Sequence, residues 1–195
     1  MTDSQGAGTR GMGVKALRLE EFLQLPETEP ASEFQDGRII QKVSPQGKHS
    51  LLQIDLATRL NSVARPARSG VAFSELRFTF SGRSIVPDVS FVAWERIPRD
   101  PSGEIADHFF LPPDLAVEII SPDQEISDLV EKLSFCVQNG TRLGWLIDPA
   151  KKRVTVFRPD RSPESLETGT LSAEPVLPGV AFTVEEVFGW LILPR

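Results

Sequence analysis

The segment Asp114-Leu-Ala-Val-Glu-Ile-Ile-Ser-Pro122 constrains the fold more than any other part of the chain. It is almost wholly apolar and β-branched, without polar alternation, so it predicts a strand covered on both faces. The residues after it, from about Glu125 to Gln138, have helical periodicity and stop at Asn139-Gly140, a helix C-cap signal. Together they read as a crossover unit within a layered sheet. At 195 residues, 40% hydrophobic and 25% charged, the chain can bury one sizeable core and is short for two.

The rest of the sequence fits around that unit. Residues 17 to 26 place Leu17, Phe22 and Leu25 at helical spacing and end at Pro26, predicting a short helix. Between Glu33 and Val43, Asp36-Gly37 separates two extended runs, a strong hairpin signal. From Gly47 to Val63 the stripe Leu52, Leu56, Leu60 and Val63 predicts an amphipathic helix with His49 in its first turn. Val71 to Phe80 and Ser84 to Trp94, joined by a Ser-Gly-Arg turn, read as an antiparallel pair. Residues 95 to 114 carry Pro98, Pro101, Pro112 and Pro113 and predict a long loop, of a kind that usually serves function. Arg142 to Pro149 and Arg153 to Pro159 form a last hairpin, and a short helix is expected near Val184 to Phe188. The expectation is an α+β (mixed α/β) domain, a central mixed sheet flanked by helices, over residues 16–195 after a disordered leader at 1–15.

The single cysteine, Cys136, excludes an intrachain disulfide framework and a cysteine-rich zinc site, and suits a reducing compartment. There is no apolar run of membrane-spanning length and no signal-peptide pattern, so a cytoplasmic location is expected.

The chemical anomaly is that two strands reading as core each carry one acid. Asp88 lies between Pro87 and Val89, and Glu118 sits among Val117, Ile119 and Ile120. An isolated buried carboxylate costs several kcal/mol unless a cation or strong donors meet it. If the strands are neighbours, period-two alternation lets both acids point to one spot. Two such carboxylates raise one pKa or recruit a hard divalent cation such as Mg²⁺ or Mn²⁺. Lys132, on the helix after the Glu118 strand, is the candidate to orient a water and offset charge developing on a phosphate. Blander roles exist for each residue: Asp88 bonding turn amides, Lys132 pairing Asp128 along the helix, His49 at a surface helix terminus, Glu33 solvated at a strand entry, Cys136 as a small apolar residue. Glu33 and His49 are also candidate accessory groups.

The succession Glu33-Phe-Gln-Asp-Gly-Arg-Ile39, Ser44-Pro45 with His49, Val86-Pro-Asp-Val-Ser-Phe-Val92, Asp114 to Pro122, the Asp128/Lys132 helix and Gly144-Trp-Leu-Ile-Asp-Pro149 resembles a bacterial restriction-endonuclease family. That family, a domain of unknown function, lies within the PD-(D/E)XK nuclease superfamily, and the likeness covers roughly residues 17 to 190. It implies a restriction-endonuclease-like core with Mg²⁺ or Mn²⁺ held by Asp88 and Glu118, acting on DNA as an endonuclease. The superfamily's usual lysine follows the Glu by two positions, where this chain has Ile120; the resemblance points instead to Lys132. The family's aromatic before Trp145 is replaced by Gly144. Cutting both strands with one site per chain implies a homodimer. The alternative is a non-catalytic DNA-binding or regulatory module on the same fold.

The net charge of −6 argues on its face against nucleic acid. Its distribution does not. Residues 87 to 131 carry eleven acids and two cations, whereas 33 to 86 carry eight cations and four acids, and 132 to 159 six cations and one acid. The acidic excess coincides with the candidate metal strands and the long loop. The flanking Arg59, Arg65, Arg68, Arg77, Arg83, Lys151, Lys152, Arg153 and Arg158 are candidates for a backbone-contacting face.

Overall fold

The doubly covered segment is a strand over Leu115–Ile119 with all five residues buried. The structure, a computed structural model, describes residues 17–122 and 124–193; the expected leader over residues 1–15 lies outside the described residues. In chain order the elements are α1 (Leu19–Phe22), β1 (Ser32–Gln35), β2 (Arg38–Gln41), α2 (Gly47–Ala64), β3 (Gly70–Ser74), β4 (Phe78–Phe80), β5 (Arg83–Ile85), β6 (Val89–Ala93), β7 (Leu115–Ile119), α3 (Ile126–Gln138), β8 (Leu143–Asp148), β9 (Arg153–Phe157), β10 (Glu164–Leu166), β11 (Thr170–Ser172), β12 (Ala181–Thr183) and α4 (Val184–Gly189). The frame is a six-stranded mixed sheet, β10-β9-β8-β7-β6-β3. Strand β7 pairs antiparallel with β6 and parallel with β8, so β7-α3-β8 is the predicted crossover.

Alternation along β7 sorts the core. Leu115, Val117 and Ile119 pack with Leu52, Leu56 and Leu60 of α2, while Ala116 and Ile120 face Leu129, Leu133 and Cys136 of α3. Each fully buried leucine here contributes roughly 1.5–3 kcal/mol. The α2 stripe continues at Ala64, which is fully buried, and not at Val63, which is 49% exposed. A spacing of four keeps position 64 over position 60 on the covered side, whereas 63 drifts off it.

The expected pair over 71 to 94 forms, but it divides between two sheets. Its base, β3 with β6, joins the large sheet; its tip, β4 with β5, joins the hairpin β1-β2 in a second sheet ordered β2-β1-β5-β4. The break falls where Glu75 has positive φ on one strand and Pro87, which has no N–H for the ladder, interrupts the other. Both hairpin tips are tight turns with consecutive positive φ, at Asp36-Gly37 and Ser81-Gly82. The small sheet packs beside α3, where the Phe80 and Phe135 rings lie 5.3 Å apart. Strands β10, β11 and β12 lie in the tail that the sequence reading leaves without strands. Among the described residues no helix is long and apolar enough to cross a membrane.

Gly144 has a packing reason. A Cβ there would stand 3.2 Å from Phe157 Cβ and 3.4 Å from Leu133 Cδ2, and Phe157 is its cross-strand partner. In this chain Phe157 fills the space that an aromatic at position 144 would need.

Candidate functional site

Both acids stand at one end of the large sheet. The register Val89↔Val117 places Asp88 just before β6 and Glu118 near the end of β7, and alternation turns both to the face that α3 covers. Asp88 Oδ2 accepts the Ile119 N–H at 2.7 Å, and Oδ1 accepts from Lys42 Nζ at 2.6 Å. His49 Nε2 is 3.4 Å from the same Oδ1, while His49 Nδ1 and Ser121 Oγ share a 3.0 Å hydrogen bond. Gln53 donates to the Asp88 carbonyl at 3.1 Å.

Glu118 is met from the helix. Lys132, one of the buried residues of α3, puts Nζ 2.7 Å from Glu118 Oε1, 2.5 Å from Glu33 Oε1 and 3.3 Å from the Val86 carbonyl. Glu33, at the second position of β1, also accepts the Val86 N–H at 2.7 Å. Lys42, just past β2, reaches the Val86 carbonyl at 2.8 Å. Val86 thus sits between two ammonium groups. Glu118 Oε1 is buried and has no hydrogen-bond donor aligned on it. A cavity of about 230 Å³ lies against Glu33, Lys42, Glu118 and Lys132, with the exposed Gln41 and Asp128 at its border.

The electrostatics separate the two acids. For Asp88, burial opposes ionisation, but His49, Lys42 and Lys132 outweigh it and hold the carboxyl well below the usual carboxylate range. For Glu118, burial dominates, with the Asp88 and Glu33 charges adding to it against Lys132 and Lys42, and the carboxyl is pushed up to about 8. One proton on Glu118 brings three carboxyl and two ammonium groups to neutrality. Lys132 is pulled down by burial and raised more strongly by Glu118, Glu33 and Asp88, so it stays charged.

Several expectations change. Glu33 is buried within the site, not solvated, because the hairpin folds its strand against the β5-β6 link. His49 is buried against Ser121, not on the surface. Lys132 turns inward to the acids, leaving Asp128 exposed. Cys136 is an apolar helix residue, and burial pushes its thiol up to about 12. The 95 to 114 loop does not border the site. It runs between the end of β6 and the start of β7, the far end of that antiparallel pair from Asp88 and Glu118, and lines a separate cavity with Trp94, Arg99 and Ile105. Of the basic residues, Arg77 is held by Glu27, Arg83 by Asp36 and Glu131, and Arg59 lies over the Trp190 ring. Lys42 is absent from the sequence reading; it lies between the Glu33–Ile39 and Ser44-Pro45 motifs, where no local pattern marks it.

The donor set is hard oxygen. Among the described residues no three His, Cys, Asp or Glu side chains converge as a metal cage, but a Mg²⁺-type ion needs only one or two carboxylates, completing its shell with water and substrate. Two hard-oxygen carboxylates turned to one face, with Glu118 lining the cavity, fit such an ion, which would compete with the Lys42 and Lys132 ammonium groups now paired with them.

Comparisons with known proteins show the family and the fold. The family model for Uma2, described as "Putative restriction endonuclease", matches residues 19–185. A crystal structure of a "putative nuclease belonging to DUF820" from Anabaena variabilis ATCC 29413 is 43% identical, covering 90% of this chain and 99% of its own, with a TM-score of 0.88. No curated protein matches. With the family model spanning most of the chain and a solved structure 43% identical to it sharing the fold, this protein belongs to the Uma2 restriction-endonuclease-like family.

Proposed function

We propose that the protein is a metal-dependent DNA endonuclease that holds Mg²⁺ or Mn²⁺ on Asp88 and Glu118, and the reading is carried by their shared face beside a cavity. A bound divalent cation there would lower the pKa of a coordinated water and take up charge on a phosphate oxygen. Asp88, kept ionised by its contacts and aimed by the Ile119 N–H, is the standing ligand. Glu118 would have to give up its proton to serve as the second ligand, because metal ligands must be deprotonated. Lys132, anchored on Glu33, orients Glu118 and would supply a fixed positive charge to offset charge developing on a phosphate. His49, braced by Ser121, keeps Asp88 from rotating.

DNA as substrate is supported by what borders the site. A second cavity of about 710 Å³ shares Gln124 with the first and carries Lys48 and Lys151 on its lining, so a backbone passing the acids would meet cations. We place the protein in the cytoplasm and expect a two-fold dimer for cleavage of both strands. The test incubates the full chain with supercoiled and linear DNA in Mg²⁺ or Mn²⁺. The wild type should nick and an Asp88→Ala variant should not; identical behaviour of the two, or no nicking by the wild type, overturns the proposal.

A further inference from the structure

The two lysines of the site are held in different ways. Lys132 Nζ donates to Glu33 and the Val86 carbonyl and forms an ion pair with Glu118, three contacts from three separate parts of the fold. Lys42 Nζ has the Val86 carbonyl and a single close carboxylate, Asp88 Oδ1 at 2.6 Å; Glu75 Oε1 stands 3.9 Å away. It follows β2, whose four residues are all exposed, and it borders the 230 Å³ cavity with Gln41 and Val43.

A divalent cation on Asp88 and Glu118 repels both ammonium groups but leaves them unequally placed. Lys132 keeps Glu33 when Glu118 turns to the ion. Lys42 would lose its one close carboxylate, keep only the Val86 carbonyl and the more distant Glu75, and stand as a cation beside the cavity, where the next anion to arrive is a phosphate. We infer that Lys42 meets the substrate phosphate, while Lys132 acts as a positioning residue for Glu118. This rests on the metal-dependent reading above and divides between two lysines the work that the sequence assigned to one.

The test uses the full chain, wild type and as Lys42→Met and Lys42→Arg, with two measurements independent of turnover: Mn²⁺ uptake by calorimetry, and anisotropy of a labelled 12-base-pair duplex in Ca²⁺. Lys42→Met should bind Mn²⁺ at least as tightly as the wild type, because a competing cation is gone. It should bind the duplex about tenfold more weakly, the worth of one charge-assisted hydrogen bond, and Lys42→Arg should recover most of that loss. Weaker Mn²⁺ uptake by Lys42→Met, or duplex binding equal to the wild type, overturns the assignment. Wild-type protein that takes up no Mn²⁺ removes the metal-dependent reading itself, a different result from duplex binding that ignores position 42.

Discussion

The protonation of Glu118 predicts an unusual stability profile. Its carboxyl is pushed from an ordinary 4.5 to about 8, first by burial and then by Asp88 and Glu33. Between those values the folded chain holds a proton that the unfolded chain releases. More protons bound to the native state means stability falls as pH rises, by up to roughly 1.4 kcal/mol per pH unit. The group is fully buried, so solvent screening gives no discount, and the whole window sets a ceiling of roughly 5 kcal/mol. Glu118→Gln mimics the protonated form and should remove this slope. Urea unfolding at pH 5.5, 7 and 8.5 should show the wild type weakening with pH and the variant changing little, with the variant the more stable of the two at pH 8.5. Mn²⁺ should reverse the wild-type trend, since the ion binds the ionised carboxylates of the native state. A wild-type profile that is flat or rises across this range, or a Gln variant with the same slope, would refute the reasoning.

Three further outcomes are expected. Gly70→Ala should destabilise the fold severely, because a Cβ there would lie 2.4 Å from the Val92 carbonyl oxygen as well as against the Phe91 ring; a Tm within a few degrees of wild type would contradict the packing. Asp114→Asn should cost several kcal/mol in urea, since the buried carboxylate accepts the Ala93 N–H and pairs with Arg96, and combining it with Arg96→Met should cost less than the sum of the two changes. Cys136 should not react with a thiol reagent at pH 8 until the protein unfolds, and rapid labelling of the native chain would show that the helix opens.

Much of this site is legible in the sequence because it breaks sequence rules. Acids at positions 88 and 118 stand out against apolar strands, and alternation alone puts them on one face. Lys132 follows from chain order, since a crossover helix must cover the strand it leaves. Lys42 was hidden for the opposite reason. It ends an exposed strand, where a lysine is unremarkable, and only the bend of the hairpin brings its long stem to Asp88. The burial of Glu33, a candidate accessory group, is hidden in the same way: the four-residue strand carries no periodic signal of a second sheet. That sheet was itself obscured, because residues 71 to 80 and 84 to 94 have continuous strand propensity across a break set by one backbone conformation and one proline. The role of Asp114 depends on Arg96 folding back from the loop, a contact that no local pattern encodes.

The break at Val86-Pro87 has a mechanical consequence. Val86, the residue joining the two sheets, carries the carbonyl that both ammonium groups grip, and its own N–H is held by Glu33 from the small sheet. The site is therefore a polar clasp between the two sheets, beside the apolar core they share. Anything that tightens it stiffens the whole molecule, so an ion settling on two side chains in the large sheet should slow amide exchange in β1, in the small sheet.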